Sequence, residues 1–503
     1  MLEGIFTGFS TALSLTNICM VFIGVLSGTL IGMLPGLGPI SAIALMIPIT
    51  YGFDSASGMI LMAGVYYGAV FGGSTSSILI NAPGVAGTVA TAFDGYPLAK
   101  QGKAGKALAV AAYSSFFGGT IGAVFLLLGA PLLARFSISF QSADYFALML
   151  MGLVAVSAFT PKGQFLKAIS MTIIGLMLST VGMDNVTGIQ RFTFGQLDLF
   201  DGISFLLLAM ATFALSEALI MALGSRNENH QAFLASDLHD LTVSKKELKE
   251  IAPTIGRSSV LGFLVGVLPG AGATIASFLA YGMEQAFSSG KSEVKFGDGN
   301  LKGLAAPETA NNAASTGSFV PLLTLGIPGS GTTAVMLGAL ISYGVQPGPQ
   351  LYTEKPEVFW AVIISMYLGN IVLLILNLPL IPYIARLISL PQRFLIPFIL
   401  FFSLIGVYLV SFNTFDIYMM VGFAAIAICL RLLGFPMAPM LLGFVLGSLL
   451  EDNLRRSLLI SNGELSFLWE RPITITILII TIVILAFPLF RSVRSKFQIG
   501  NGL

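Results

Sequence analysis

Long apolar stretches alternate with short polar ones along almost the whole chain. They fall near residues 17–34, 39–52, 58–80, 106–134, 143–160, 164–183, 202–223, 256–282, 317–343, 357–388, 394–411, 415–433, 436–450 and 472–490. A run of about 20 apolar residues is long enough to cross a bilayer as a helix. Several of these runs are too short or too broken to cross alone. The pattern predicts about 12 spans plus two or more re-entrant or discontinuous elements.

The polar stretches are few. Residues 97–106 carry Lys100, Lys103 and Lys106 with no acid, and the C-terminal tail carries Arg491, Arg494 and Lys496. Basic loops favour the cytoplasmic side, which places both there. Residues 224–257 form the longest polar stretch and are charge-balanced. The N-terminus has neither a basic n-region nor a small-residue cleavage site, so no signal peptide is expected and the first apolar segment is expected to remain as a span.

The apolar pattern repeats. GTLIGMLPGLGPISA from Gly28 matches GFLVGVLPGAGATIA from Gly262, aligning Gly32, Pro35, Gly36 and Gly38 with Gly266, Pro269, Gly270 and Gly272. A second pair aligns SSILINAPGVAGT from Ser76 with VPLLTLGIPGSGT from Val320, so that Pro83-Gly84 meets Pro328-Gly329. Repeats with motifs in the same order divide the chain into residues 1–223, a polar connector at 224–257, and residues 258–503 with additional C-terminal helices. The expected fold class is an all-α polytopic membrane protein with two inverted repeats and discontinuous Pro-Gly elements.

Proline removes a backbone donor and glycine relaxes φ. Such irregular backbone survives at membrane depth only where protein buries it or it lines a watery cavity. Matched interruptions in two halves therefore point to a binding site, with half-helix N-termini suited to an anion and unwound carbonyls to a cation. Gly24, Gly28 and Gly32 have the spacing of close helix packing instead. Around the breaks, Ser74, Ser76, Ser77, Asn81, Pro83 and Gly84 in the first half, and Asn311, Asn312, Pro328, Gly329, Ser330, Gly331 and Thr332 in the second, are the candidate substrate-binding residues. Gly36, Gly38, Gly270, Gly272, Thr274, Glu308 and Thr333 are the cation-coupling candidates, the cation being sodium or a proton. Sodium, if used, is expected on carbonyls near Gly36–Gly38 and Gly270–Gly272. Glu308 reads either as a functional intramembrane carboxylate or as a cap, since Pro307-Glu308 resembles a helix start. Asp94 reads as a turn or cap residue, Tyr66 and Tyr67 as interfacial anchors or site lining, and the Glu451–Arg456 cluster as a membrane-edge anchor or subunit contact.

Composition agrees with burial in lipid. Of 503 residues, 55% are hydrophobic and only 10% charged, against about 25% charged in soluble domains. A net charge of +1 gives a nucleic-acid role no electrostatic support. Cys19 and Cys429 form no framework, and His230 and His239 both lie in the polar connector, so neither a metal centre nor a histidine relay is expected. No His or Lys sits in the apolar core to activate a serine, which argues against a hydrolase. No Walker A pattern is present, which argues against an ATPase on this chain. A channel or a scaffold subunit are the remaining rivals, and the scaffold reading does not explain polar residues clustered at both breaks.

The segments MLPGLGPISA, SSILINAPG, FDGYPLA, VLPGAGATIASFLAY, APETANNAASTGSFVPLLTLGIPGSGTTAVMLGAL and GFVLGSLLEDNLRRSLLISNG resemble, along nearly the whole chain, the large membrane subunit of the tripartite tricarboxylate transporters, the TctA family. The resemblance implies a multi-pass protein of the bacterial inner membrane. It implies a small four-span membrane subunit and a periplasmic solute-binding protein as partners, and coupling to a sodium or proton gradient. The substrate class would be citrate, other tri- and dicarboxylates, or aromatic acids. Where some relatives carry an acidic residue or threonine after the first Asn-x-Pro-Gly, this chain has Val85, which removes a polar ligand there.

Overall fold

The structure, a computed structural model, describes residues 2–500 except 35–36, 159, 161–163, 185, 225–240, 271, 289–293 and 385–391. Pro35, Gly36, His230 and His239 lie outside the described residues. The chain is helical almost throughout. The first part contains α1 (Leu2–Ala12), α2 (Leu15–Gly32), α3 (Gly38–Thr50), α4 (Ser55–Ile80), α5 (Val89–Leu98), α6 (Ala104–Ser137), α7 (Ser142–Ala158) and α8 (Phe165–Ser179). A two-stranded hairpin, β1 (Gly182–Met183) and β2 (Gln190–Arg191), precedes α9 (Phe205–Ala209) and α10 (Ser216–Gly224), which a π-turn at Met210–Leu215 joins. The second part contains α11 (Lys245–Val267), α12 (Gly272–Phe287), α13 (Leu301–Gly317), α14 (Phe319–Leu325), α15 (Gly331–Ser342), α16 (Pro349–Glu354) and α17 (Pro356–Asn377). It closes with α18 (Ile381–Ile384), α19 (Gln392–Ser411), α20 (Thr414–Leu432), α21 (Ala438–Ile460) and α22 (Pro472–Gly500).

Among the described residues six helical segments are long and apolar enough to cross a bilayer, and six further apolar helices are shorter. α11 and α13 fall outside both groups because α11 opens on the charged stretch Lys245–Glu250 and α13 carries a run of polar residues. α13 is buried along its whole length after Lys302 although it carries Glu308, Asn311, Asn312, Ser315 and Thr316. α4 is buried from Ala56 to Leu79, and its small and apolar residues there face protein on every side.

Each half begins with a helical hairpin laid against a central helix. In the first, α2 runs parallel to α4. A methyl group added at Gly24, Gly28 or Gly32 would overlap the carbonyl oxygen of Leu61, Val65 or Ala69 respectively. This is the packing reading of that glycine stripe. In the second, α11 runs parallel to α13, and methyl groups at Gly262 and Gly266 would overlap the carbonyl oxygens of Ala310 and Ala314. Residues 245–257, part of the polar connector in the sequence, are the first turns of α11. Ser244 caps it, and Glu247 returns its side chain to the Ser244 N–H in a capping box.

The outer ends of the two hairpins meet different partners. At the first, Ser57 Oγ donates to Asn17 Oδ1 at 2.6 Å, and Tyr343 from the end of α15 donates to Thr50. At the second, Lys106 pairs with Glu247 at 2.8 Å, and Asp94 from α5 reaches the loop before α13. Asp94 lies inside a helix and not in a turn. It still caps a neighbour: Oδ1 accepts the N–H groups of Gly297, Gly299 and Asn300 at 2.9, 3.0 and 2.6 Å, and Tyr281 Oη donates to Oδ2 at 3.0 Å.

Of the Glu451–Arg456 cluster, Glu451 and Arg455 clamp the β-hairpin onto α21. Arg455 pairs with Asp184 at 2.7 Å and with Glu451 at 2.6 Å, and Arg191 pairs with Glu451 at 2.8 Å. The Arg455 hydrogen bonds hold the Asp184 carboxyl well below its ordinary value of 3.8. A depressed carboxyl stabilises the clamp above its unfolded value, and the contribution is lost only as pH falls through the folded one. Hydrogen exchange across residues 182–191, corrected for intrinsic rate, is therefore expected to stay flat down to about pH 4. Arg455→Ala is expected to raise the pH at which this segment opens.

Candidate functional site

The two Pro-Gly breaks share one construction. α4 ends at Asn81 in the left-handed conformation (φ 54°), and α14 ends at Gly326 in the same conformation (φ 69°). Asn and Gly are the residues that tolerate it. Each is followed by x-Pro-Gly. The glycine then packs against the first hairpin helix and the central helix of its own half. A methyl group at Gly84 would overlap the Gly32 carbonyl oxygen and sit 3.1 Å from Gly73 Cα. One at Gly329 would sit 3.0 Å from the Gly266 carbonyl oxygen and 2.8 Å from Ser318 Cα. The Gly270 N–H donates to the Gly329 carbonyl at 3.0 Å, tying the second hairpin tip to the second break.

New helices start at these breaks and at the two hairpin tips, and their N-termini meet. α3 starts at Gly38 and α12 at Gly272, both with φ near +60°. α15 starts at Gly331, and the turn Ala86–Thr88 leads into α5. A methyl group on Gly38 would lie 4.0 Å from the Gly84 carbonyl oxygen, and one on Gly87 3.4 Å from Ala273 Cβ. One on Gly272 would lie 3.7 Å from Ser330 Cβ, and one on Gly331 3.2 Å from Ile40 Cδ1. These four contacts close a ring, and two of them cross between the halves. The first N–H groups of a helix lack intrahelical partners, and its N-terminus carries the positive end of the dipole.

The central helices also reach across. Tyr66 Oη on α4 lies 3.4 Å from Ser330 Oγ, and Asn311 Nδ2 on α13 donates to the Gly87 carbonyl at 3.3 Å. Tyr66 and Tyr67 are buried, and both rings lie tilted against Phe319 with centroids 6.0 Å away. Tyr66 thus faces the second break, and neither ring is an exposed interfacial anchor. Ser330 caps α15 through a reciprocal box with Thr333, leaving Thr332 buried at the second helical position.

The remaining sequence candidates divide by what they touch. Ser76 accepts the Gly84 N–H at 3.1 Å, and Ser77 donates to Thr88 Oγ1 at 2.8 Å, so both pin the first break. Asn81 is exposed, and the left-handed φ accounts for its place. Asn312 Nδ2 donates to the Asn311 Oδ1 and the Glu308 carbonyl at 2.7 and 3.0 Å. Pro83 is half-buried, Pro328 is buried, and Thr274 lies half-buried in the first turn of α12. Glu308 is not at a helix start: Asn300 caps α13, its Oδ1 accepting from the Lys302 and Gly303 N–H groups. The Glu308 carboxyl is fully buried where α4, α5, α6 and α13 meet. Ser74 and Ser115 donate to Oε2 at 2.7 and 2.9 Å, and Thr91 and, at 3.4 Å, Asn311 donate to Oε1. Thr91 and Ser115 carry no sequence signal, being small hydroxyls on largely apolar helices with no break or charge beside them.

Matched broken helices with neutral polar linings, buried inside an apolar bundle, define a membrane transport protein. The chain matches the family model "Tripartite tricarboxylate transporter TctA family" over residues 18–442 and belongs to that family. It is 42% identical over 496 residues to an Agrobacterium vitis protein described as "Uncharacterized 52.8 kDa protein in TAR-I ttuC' 3'region", covering 99% of this chain and 98% of that one. It is 44% identical over 235 residues to a second A. vitis protein, "Uncharacterized protein in TAR-II ttuC' 3'region", covering 47% of this chain and 96% of that one. No solved structure matches it.

Proposed function

We propose that this chain is the translocating subunit of a secondary active transporter that moves a tri- or dicarboxylate, or a related organic acid, across the bacterial inner membrane. It works with a small four-span membrane subunit and a periplasmic solute-binding protein, and a cation gradient drives it. The observation that carries the reading is the ring of four helix N-termini at the two breaks and the two hairpin tips. One helix N-terminus favours an anion by about 0.3–1 kcal/mol, and by about 2 kcal/mol when partly buried. Four of them suit a carboxylate group, with free N–H groups at Gly331 and Thr332 and the Tyr66 hydroxyl nearby.

No Lys or Arg lies in the Pro-Gly motifs. Dipoles of this size do not neutralise two or three carboxylate charges in a low-dielectric interior, where burying an unpaired charge costs several kcal/mol per ion. A cation must travel with the substrate. The hairpin contacts support the inverted arrangement: the outer end of α2–α3 meets α15, whereas that of α11–α12 meets α5 and α6. In inverted repeats of this kind, one half rocks against the other around a central site. A carboxylate-conducting channel is the second reading, because it too would use neutral polar linings.

Uptake into vesicles holding all three components, under separate sodium and proton gradients and with a panel of labelled carboxylates, tests the reading. Saturable uptake that requires the binding protein and rises with one of the gradients is expected. Flux that is linear in concentration and indifferent to both gradients would favour the channel.

A further inference from the structure

The Glu308 carboxyl differs in kind from the other buried carboxyls of the described residues. Asp144 pairs with Arg471, Asp184 with Arg455, Glu217 with Arg431, and Glu284 with Arg257. Asp94 has no cation, but three of its partners are backbone N–H groups, which can only donate. Those three donors converge on Oδ1 and favour the carboxylate, leaving only the Tyr281 hydroxyl at Oδ2 able to turn acceptor. Glu308 has three hydroxyl partners and one amide, and no cation. A hydroxyl both donates and accepts, so this set can serve either protonation state.

One of the hydroxyls has a second acceptor already in place. Ser74 Oγ lies 2.7 Å from Glu308 Oε2 and 3.2 Å from the Val70 carbonyl oxygen of its own helix. Rotation about its C–O bond moves its proton from the first to the second, freeing the oxygen lone pair toward Glu308. The carboxyl is also wired to the ring of N-termini, because Asn311 Nδ2 bonds both Glu308 Oε1 and the Gly87 carbonyl.

On the elements packed around α13, the titratable or charged side chains closest in sequence to these contacts are Tyr67 on α4, Asp94 on α5, Tyr113 on α6, Arg257 on α11, Tyr281 and Glu284 on α12, and Lys302 on α13 itself. α14 and the 86–88 turn carry none. Asp94 bonds Tyr281, Arg257 pairs with Glu284, and Lys302 with Glu250. None of them bonds the Glu308 carboxyl.

We propose that Glu308 is the proton-carrying residue of the transport cycle. A proton from solution binds Oε2, the new O–H donates to Ser74 Oγ, and the Ser74 hydroxyl turns to the Val70 carbonyl. The charge on α13 is thereby removed without leaving a buried polar atom unpaired, which is the condition for a low-cost change of state. This rests on the cation-coupled reading and names the cation.

Infrared difference spectra of the purified full chain in lipid vesicles, taken between about pH 4 and 9, test it. The wild type is expected to gain a protonated-carboxyl carbonyl band on acidification, equally in sodium and in potassium chloride. Glu308→Gln is expected to lose that band, and Asp94→Asn to keep it. In Ser74→Ala the band is expected to remain but shift, because the acceptor of the acid O–H is gone. If Glu308→Gln does not fold, the Ser74→Ala shift decides. No band in the wild type, a band that persists in Glu308→Gln, a band unmoved in Ser74→Ala, or one that sodium abolishes at constant pH each overturns the proposal. The titration needs no substrate and no partner chain, so its failure leaves the transport reading standing. Failed uptake with an intact titration would overturn the transport reading, and with it the coupling role, while the protonation of Glu308 stood.

Discussion

Gly84→Ala is expected to abolish uptake and to lower stability by about 3 kcal/mol, the upper end for overpacking a well-packed interior. The added methyl group would overlap the Gly32 carbonyl oxygen and press on Gly73 Cα. Both neighbours are backbone, on helices that glycines hold at contact distance, so neither can rotate away. Uptake should fail because the same atom sets the level of the 81–88 break, and with it the start of α5 and the Gly87 carbonyl. Gly329→Ala should do less, since its methyl group would press on Ser318 Cα and Cβ at 2.8 Å, a shallower overlap than the one with the Gly32 carbonyl oxygen. Gly282→Ala on α12, with nothing within 4 Å, should be neutral. Thermal midpoints of the three purified variants, measured alongside uptake, check the order.

The Pro-Gly breaks were legible because proline and glycine act on the backbone directly, and because they recur in both halves. The close packing of α2 on α4 was legible from the spacing of Gly24, Gly28 and Gly32. What joins the halves was not. Thr91 and Ser115 look like any small polar residue on an apolar helix, and only the fold brings them to Glu308 from 217 and 193 residues away. Glu308 itself was half legible. Its charge inside an apolar region marked it, but Pro307 mimics a helix start. The helix begins earlier because the Asn300 side chain and the Asp94 carboxyl secure the preceding loop. Asn81 carries a backbone signal as well. An amide beside a break reads as a ligand, and the left-handed φ at a helix end also favours asparagine there, as it favours Gly326 at the matching position. Tyr66 and Asn311 stand at matching places in their helices, and each reaches the other half's break. Sequence similarity between the halves did not reveal that exchange, because the two side chains differ.

A fixed negative charge inside the ring should exclude an anionic substrate. Thr332 is buried at the second position of α15, where an acidic side chain favours the helix dipole. Thr332→Asp should therefore keep the helix while it occupies the positive end that the substrate needs. Thr332→Asn has nearly the same shape and no charge. Like-charge opposition of about 3 kcal/mol in such a site corresponds to a loss on the order of 100-fold.

The most direct measurement is the initial rate of labelled carboxylate uptake by vesicles carrying Thr332→Asp or Thr332→Asn, together with both partner subunits and at equal amounts of folded protein. Uptake by the aspartate variant about 100-fold below that of the asparagine variant, with the asparagine variant close to wild type, is the predicted result. Equal rates in the two variants would contradict an anion site at the converging helix N-termini.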